Sequence, residues 1–217
     1  TFTALVLHMV QGQKMVAEKG ALMYMHRTIE IETKRRSGGM LKGLMTSALG
    51  GESFLVNTYT AKDNGELGLV GPSIGDIRPV FLGEHGMVLQ SGAYLASNPS
   101  VELDTKWKGL KGFVQEKDMV MLRATGNGTV FVSSFGGIIE KNLAEGENIS
   151  VDSGHIVGFS DNMDFKVRRV GGLKSTLLSG EGLVSDFTGP GKLLIQTRHF
   201  GAFARQLVRY LPQQQHR

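Results

Sequence analysis

Cysteine is absent from the 217 residues, which excludes disulfides, thiolate metal sites and cysteine nucleophiles together. Apolar runs are short: none approaches the roughly 20 residues of a membrane span, and the apolar stretch 4–10 is too short for a secretion signal. Hydrophobic residues make up 41% of the chain and charged residues 20%, a balance that permits a packed core and argues against disorder. We therefore expect a soluble, cytoplasmic protein without a transmembrane segment.

Aromatic residues are scarce, at 7% of the chain with a single tryptophan, Trp107. This scarcity gives little support to a platform on which nucleic-acid bases stack. Glycine, in contrast, is abundant, with 30 of 217 residues, about twice its usual share of roughly 7%. Most glycines separate short apolar runs, which is the pattern of turns between strands. The composition therefore predicts an all-β protein.

Three stretches of the chain match one another at fixed offsets. Each opens with a glycine and begins an alternating segment nine residues later. The glycines are Gly20, Gly92 and Gly154, and the alternating segments begin at Ile29, Val101 and Met163. A period of two is typical of a half-buried strand. In the first copy it predicts an inward face of Ile29, Ile31 and Thr33.

Further apolar runs follow in pairs, each pair separated by a glycine-containing turn, and each pair is predicted to form a β-hairpin. The pairs are 54–60 with 67–70, 119–124 with 129–133, and 183–187 with 192–196. The opening glycines are 72 and then 62 residues apart, so the first copy carries ten extra residues. Part of this excess lies near 44–51, where helix formers predict a short helix or lid. After Phe200 the apolar spacing becomes helical.

These patterns predict an all-β fold of three repeated β modules, arranged as a β-sandwich with pseudo-threefold symmetry, and a short C-terminal helix. The predicted modules are 1–85 with the insertion near 44–51, 86–148, and 149–217 with the helix and a tail. A module of about 60 residues buries only roughly 60% of its unfolded surface. We therefore expect the three modules to share or stack their cores.

No catalytic motif is complete. The segment 189–192 lacks the spacing and the hydroxyl residue of a phosphate loop, and 51–53 lacks the second glycine of a serine-hydrolase elbow. Glu52 and Glu181 recur at equivalent places, which favours a role in tight turns. His155 replaces an alanine of the other copies, and we expect it to pack or form hydrogen bonds. We predict no catalytic residue, cofactor or metal ligand.

Positive charge is concentrated in the last third of the chain. The excess of Lys and Arg over Asp and Glu is +1 for 1–84, −1 for 85–148 and +4 for 149–217. Basic side chains on one strand face can neutralise phosphates, but a solvated face with ion pairs between modules is the favoured interpretation. The candidates for anion or nucleic-acid contact are Lys166, Arg168, Arg169, Lys174, Lys192 and Arg198.

Five short motifs together resemble the family named after the yeast altered inheritance of mitochondria protein 24. They are GESF at 51–54, QSGAYLA at 90–96, DTK at 104–106, GEGL at 180–183 and FTGPG at 187–191. The resemblance spans about 11–197. It implies three modules similar to the subunit of the trp RNA-binding attenuation protein, and a ring of nine modules made by three chains. The mitochondrial member is linked to the organisation of inner-membrane complexes, which suggests scaffolding.

The leading hypothesis is therefore a non-enzymatic, homo-oligomeric β protein, a trimer, that acts as a scaffold or binding platform for an unknown ligand. One alternative is a ring that binds RNA or anions through the basic third module. Another is an enzyme with a site between subunits, near His155 or the segment 44–51.

Overall fold

A computed structural model describes residues 2–34, 55–104, 121–169, 183–208 and 210. The predicted helix or lid at 44–51, Glu52, Glu181, Lys174 and Trp107 lie outside these residues. Strands dominate the described chain, and one α-helix follows them, α1 (Phe200–Val208). The prediction of an all-β fold with a short C-terminal helix is confirmed.

The strands fall into three consecutive groups of six. The first group is β1 (Leu5–Met9), β2 (Lys14–Glu18), β3 (Leu22–Met25), β4 (Ile29–Lys34), β5 (Val56–Ala61) and β6 (Gly65–Leu69). The second group is β7 (Ile77–Leu82), β8 (Met87–Gln90), β9 (Tyr94–Ser97), β10 (Val101–Asp104), β11 (Met121–Gly126) and β12 (Gly128–Ser133). The third group is β13 (Ile138–Leu143), β14 (Asn148–Asp152), β15 (Ile156–Ser160), β16 (Asp164–Arg169), β17 (Leu183–Thr188) and β18 (Gly191–Gln196).

Each group pairs its strands in the same antiparallel order. The first strand pairs with the sixth and the sixth with the third, while the fourth pairs with the fifth and the fifth with the second. A break in register recurs where the third strand meets the sixth, at Leu22/Tyr24, Phe131/Val132 and Ile156/Gly158. Such a bulge bends a strand and increases its twist. Every group is thus two three-stranded sheets with the same internal design.

Neighbouring groups are joined edge to edge at two junctions. At the first junction β2 pairs with β9, and at the second junction β8 pairs with β15. Two six-stranded sheets result, β4-β5-β2-β9-β12-β7 and β10-β11-β8-β15-β18-β13. The cores are shared across the junctions: Leu95 of the second group packs in the first group's core, and Val157 of the third packs in the second's. No group therefore has a core that it completes alone.

The predicted hairpins are wrong, although strands lie close to the predicted positions. β5 and β6 follow each other closely, yet β5 pairs with β2 and β4 whereas β6 pairs with β1 and β3. The same holds for β11 with β12 and for β17 with β18. Each glycine turn carries the chain from one sheet to the other, because the fifth strand of a group belongs to one sheet and the sixth strand to the other. The predicted inward face of β4 is also only partly right: Ile29 is buried, but Ile31 is 41% exposed.

Size complementarity between the third and sixth strands differs among the groups. The opposed pairs are Tyr24 with Gly68, Ala96 with Phe131, and Gly158 with Leu194. A methyl group on Gly68 would lie 2.3 Å from the Tyr24 ring. The large residue of the pair lies on the third strand in the first group, but on the sixth strand in the other two groups. Each pair therefore combines one large and one small residue. The first group accordingly presents a tyrosine on β3 where the other two present a small residue.

Candidate functional site

Among the outer strands of the four sheets, two occupy positions that are paired between groups elsewhere in the described chain. β2 and β8 pair with β9 and β15 at the two junctions, but β14, the equivalent strand of the third group, pairs only with β17. Likewise β3, the equivalent of β9 and β15, pairs only with β6. Unpaired backbone groups on a strand edge are a template for pairing with another strand. We call β3 and β14 the open edges.

The side chains of β3 are exposed where their equivalents are buried. Leu22 is 37% exposed and Met23 is 47% exposed. The equivalent pairs Tyr94 with Leu95 and Ile156 with Val157 are fully buried. β3 therefore carries apolar surface that the single chain leaves in water. Burial of this surface in an interface would stabilise the assembly by roughly 25 cal/mol per Å².

The third group's core lacks a contribution that the first and second cores receive from the following group. Ile149 on β14, with Phe165 and Val167 on β16, is only partly buried against it. The first and second cores each include a residue from the third strand of the following group, Leu95 or Val157. The third group has no following group in the described chain, so its core receives no such residue.

A polar group lies beside β3. The Tyr24 hydroxyl donates a short hydrogen bond to Glu66 Oε1, and His8 Nδ1 lies 3.4 Å from Glu66 Oε2. The hydrogen bond to Glu66 raises the pKa of Tyr24, and burial adds to this effect. An open cavity of about 390 Å³ adjoins these residues; it is lined by His8, Met9, Val10, His26, Asn64, Gly65 and Glu66.

A second polar group lies at the end of β14. His155 Nδ1 is 2.7 Å from the Gln196 carbonyl oxygen, which confirms the expected hydrogen-bonding role. His199 Nδ1 accepts a 3.0 Å hydrogen bond from the Ala202 backbone N–H and so satisfies a donor at the start of α1. Its Nε2 faces Asp152 Oδ1 at 3.9 Å. This arrangement fixes the helix beside the open edge.

Metal chemistry receives no support from either polar group. Among the described residues, no set of three or more His, Asp or Glu side chains is arranged to hold a metal ion. In the same residues, no helix is both long and apolar enough to cross a membrane.

The structure divides the predicted basic set. Arg168 Nε donates to Asp186 Oδ2 at 2.6 Å, and Lys192 Nζ lies 3.0 Å from Glu140 Oε1. The hydrogen bond from Arg168 lowers the pKa of Asp186, and the one from Lys192 lowers the pKa of Glu140. Lys166, Arg169 and Arg198 are exposed. Three members lie on β16, whereas Lys192 is on β18 in another sheet and Arg198 follows that strand.

One ion pair crosses the second junction. Arg123 on β11 donates through Nε and Nη2 to Asp161 Oδ2, at 2.8 and 2.6 Å. The Asp161 side chain is only 6% exposed, so loss of Arg123 would leave a buried carboxylate without its counter-charge. The Asp161 backbone N–H also donates to the Gly86 carbonyl oxygen at 3.0 Å. Both contacts hold the turn after β15 against the second group.

A partly buried carboxylate, Glu18, ends β2 next to the first junction. Burial raises its pKa from 4.5 to about 7. Between these two values the folded protein holds a proton that the unfolded chain has released, so the free energy of unfolding falls as pH rises through this window. Glu18→Gln should remove that slope and raise stability above pH 7 by on the order of 2 kcal/mol.

Urea unfolding of the Glu18→Gln variant at a series of pH values measures this effect. Glu102→Gln, which changes an exposed carboxylate on β10, is the matched control and should leave the slope unchanged. An unaltered slope in Glu18→Gln would contradict the assignment.

Comparison with known proteins agrees with this architecture. The chain is 27% identical over 218 residues to an uncharacterised protein of Streptococcus pyogenes serotype M6, covering 97% of this chain and 88% of that protein. The crystal structure of a Streptococcus pyogenes protein superposes with a TM-score of 0.78 at 27% identity, covering 97% of this chain and 95% of the other. The model of the family described as mitochondrial biogenesis AIM24 matches residues 1–198. The resemblance noted from the motifs is confirmed, and the chain belongs to the AIM24 family.

Proposed function

We propose that the protein is a non-enzymatic scaffold or binding platform that assembles from identical copies, with β3 of one copy added to β14 of the next. The observation that carries this proposal is the exposure of Leu22 and Met23 on β3, a strand with one unpaired edge; the equivalent residues are fully buried at both junctions. Strand addition would satisfy the backbone of both edges, and Met23 would enter the third group's core as Leu95 and Val157 enter the others.

The register of the proposed pairing follows from the two junctions. Val16 faces Ser97 and Ala17 faces Ala96 at the first, while Val88 faces Phe159 and Leu89 faces Gly158 at the second. The same alignment places Ser150 opposite the partner's Met25 and Val151 opposite the partner's Tyr24. We call this proposed contact the seam.

Because β3 and β14 are different surfaces, the seam is a head-to-tail contact, which either closes into a ring or continues as a filament. A closed ring pairs β3 and β14 in every copy, which removes these two edges as templates for aggregation. The family resemblance gives three copies and nine strand groups as the closed number. We place this trimer in the cytoplasm, because a chain without cysteine contains no disulfide that reducing conditions could break.

Native mass spectrometry and sedimentation at micromolar concentration test the assembly. The expected mass is three times the 23.5 kDa of the chain. A folded monomer under these conditions contradicts the proposal, and a concentration-dependent series of open polymers contradicts the closed ring.

The alternative of an RNA- or anion-binding ring has less support. Arg168 and Lys192 already face carboxylates at hydrogen-bond distance, so their charge is partly neutralised within the chain. The alternative of an enzyme placed a site near His155 or the segment 44–51. His155 Nδ1 hydrogen-bonds a backbone carbonyl, and 44–51 lies outside the described residues. Neither observation adds a reactive group to the scaffold.

A further inference from the structure

The residues that flank the three contacts differ in charge in an ordered way. At the second junction the ion pair joins Arg123 on the fifth strand of one group to Asp161, in the turn after the third strand of the next group. Residues at these two positions meet because the second strand of one group lies beside the third strand of the following one. The equivalent positions elsewhere therefore show what each contact brings together.

Equivalence of the positions follows from strand register. Val88, which faces Arg123 across β8 and β11, corresponds to Val16, facing Thr58, and to Ser150, facing Asp186. The turn residue two places after the third strand's facing residue is Asp161 in the third group, Pro99 in the second and Arg27 in the first. The first junction thus combines Thr58 with Pro99, and the seam would combine Asp186 with Arg27.

We infer that Asp186 forms an ion pair with the partner's Arg27 across the seam, with the charges reversed relative to Arg123 and Asp161. This inference rests on the proposed function. The backbone contact of the second junction supports the placement: Asp161 N–H donates to the Gly86 carbonyl, and the equivalent at the seam joins the partner's Arg27 N–H to the carbonyl of Asn148. This bond would hold Arg27 beside the start of β14.

Asp186 faces two cations of its own chain, Arg168 and Lys166, and still has acceptor positions for an incoming guanidinium. Its Oδ1 accepts from Ser150 Oγ at 2.5 Å and Arg168 Nη2 at 3.1 Å, and its Oδ2 accepts from Arg168 Nε. A carboxylate offers about four acceptor positions, so Oδ2 keeps room for a second donor. The Asp186 side chain is exposed. Arg27 is exposed as well and makes no ion pair with other residues of the described chain.

Because the charges are reversed, the strands of the seam and the strands of the second junction are mismatched in charge with one another. If β3 of a second copy approached β8, its Arg27 would meet Arg123, and if β15 approached β14, Asp161 would meet Asp186. Like charges brought together at an interface cost several kcal/mol and suppress wrong partners. The charge pattern therefore directs β3 to β14 and away from the edges that the chain pairs internally.

A charge-swap experiment tests the ion pair. Asp186→Arg and Arg27→Asp should each raise the dissociation constant of the oligomer about 10- to 100-fold, and the double variant should return it to within about threefold of wild type. Analytical ultracentrifugation over a dilution series gives these constants, and circular dichroism shows that each variant is folded. Lys62→Asp, which alters an exposed ion pair with Glu30 on the same group, is the control and should leave the constant unchanged.

The outcomes separate the ion pair from the assembly. Rescue by the double variant supports the pair. A dissociation constant that stays at the wild-type value in both single variants overturns the pair and leaves the assembly standing. A monomeric wild type overturns the assembly itself. Asp186→Arg also breaks the contact with Arg168 and could prevent folding. Arg27→Asp tests the pair in that case, because Arg27 has no ion pair within the described chain. Unaltered assembly of Arg27→Asp overturns the pair.

Discussion

Met23→Asp is expected to convert the oligomer into folded monomers. Met23 is 47% exposed in the single chain, so an aspartate there remains solvated and the chain folds. At the seam the same position corresponds to Leu95 and Val157, which are fully buried in apolar cores. Placing an unpaired carboxylate in such a site costs several kcal/mol, which corresponds to a dissociation constant raised at least about a thousandfold.

Ile139→Asp is the matched control for this substitution. Ile139 is 46% exposed and lies on β13, the outer strand of another sheet, so the same charge is introduced at nearly the same exposure but away from the open edges. Sedimentation velocity should show trimers for Ile139→Asp and monomers for Met23→Asp. Trimers in both would contradict pairing of β3 with β14.

Phe159→Ala is expected to lower the free energy of unfolding by about 3–5 kcal/mol. Phe159 is fully buried, and its ring lies 5.1 Å from that of Phe165 and 5.0 Å from that of Phe187. It also faces Val88 across the second junction. Truncation therefore leaves a cavity in the third core and weakens the contact between the second and third groups.

Guanidinium-chloride unfolding measures this loss. Phe81→Ala removes the same atoms from a side chain that is 79% exposed and should change stability by no more than about 0.5 kcal/mol. Equal losses in the two variants would contradict the assigned core.

The sequence predicted strands better than it predicted their partners. Alternation marked β4, β10 and β16 because side chains of a strand project to opposite faces, a local property. The turns at 62–64 and 189–190 were also identifiable, but a turn does not reveal whether the chain returns to the same sheet. In this fold it does not, so the hairpins were wrong. The predicted module limits at 85 and 148 lie after β7 and at the start of β14, whereas strand pairing groups β7 with the second set and β13 with the third.

The candidate contact residues show the same limit. The repeat alignment contained Arg123, Asp161, Arg27 and Asp186 at matching offsets, so their reversed charges were present in the sequence. The net charge of the third module instead predicted an anion-binding surface, because the proposed contact of Asp186 with the partner's Arg27 follows only from the junctions. Arg168 and Lys192 were grouped as one basic surface, yet they lie in different sheets, each with its own carboxylate.

The sequence by itself determined the all-β class, the C-terminal helix and the family, since these depend on turn residues, periodicity and short motifs that act locally. Tertiary structure decided which strands pair, where the cores join and which edges remain open. Those properties arise from contacts between distant segments, where burial of apolar faces and pairing of backbone groups are satisfied together. The exposed apolar residues of β3 indicate an interface only by comparison with their buried equivalents on β9 and β15.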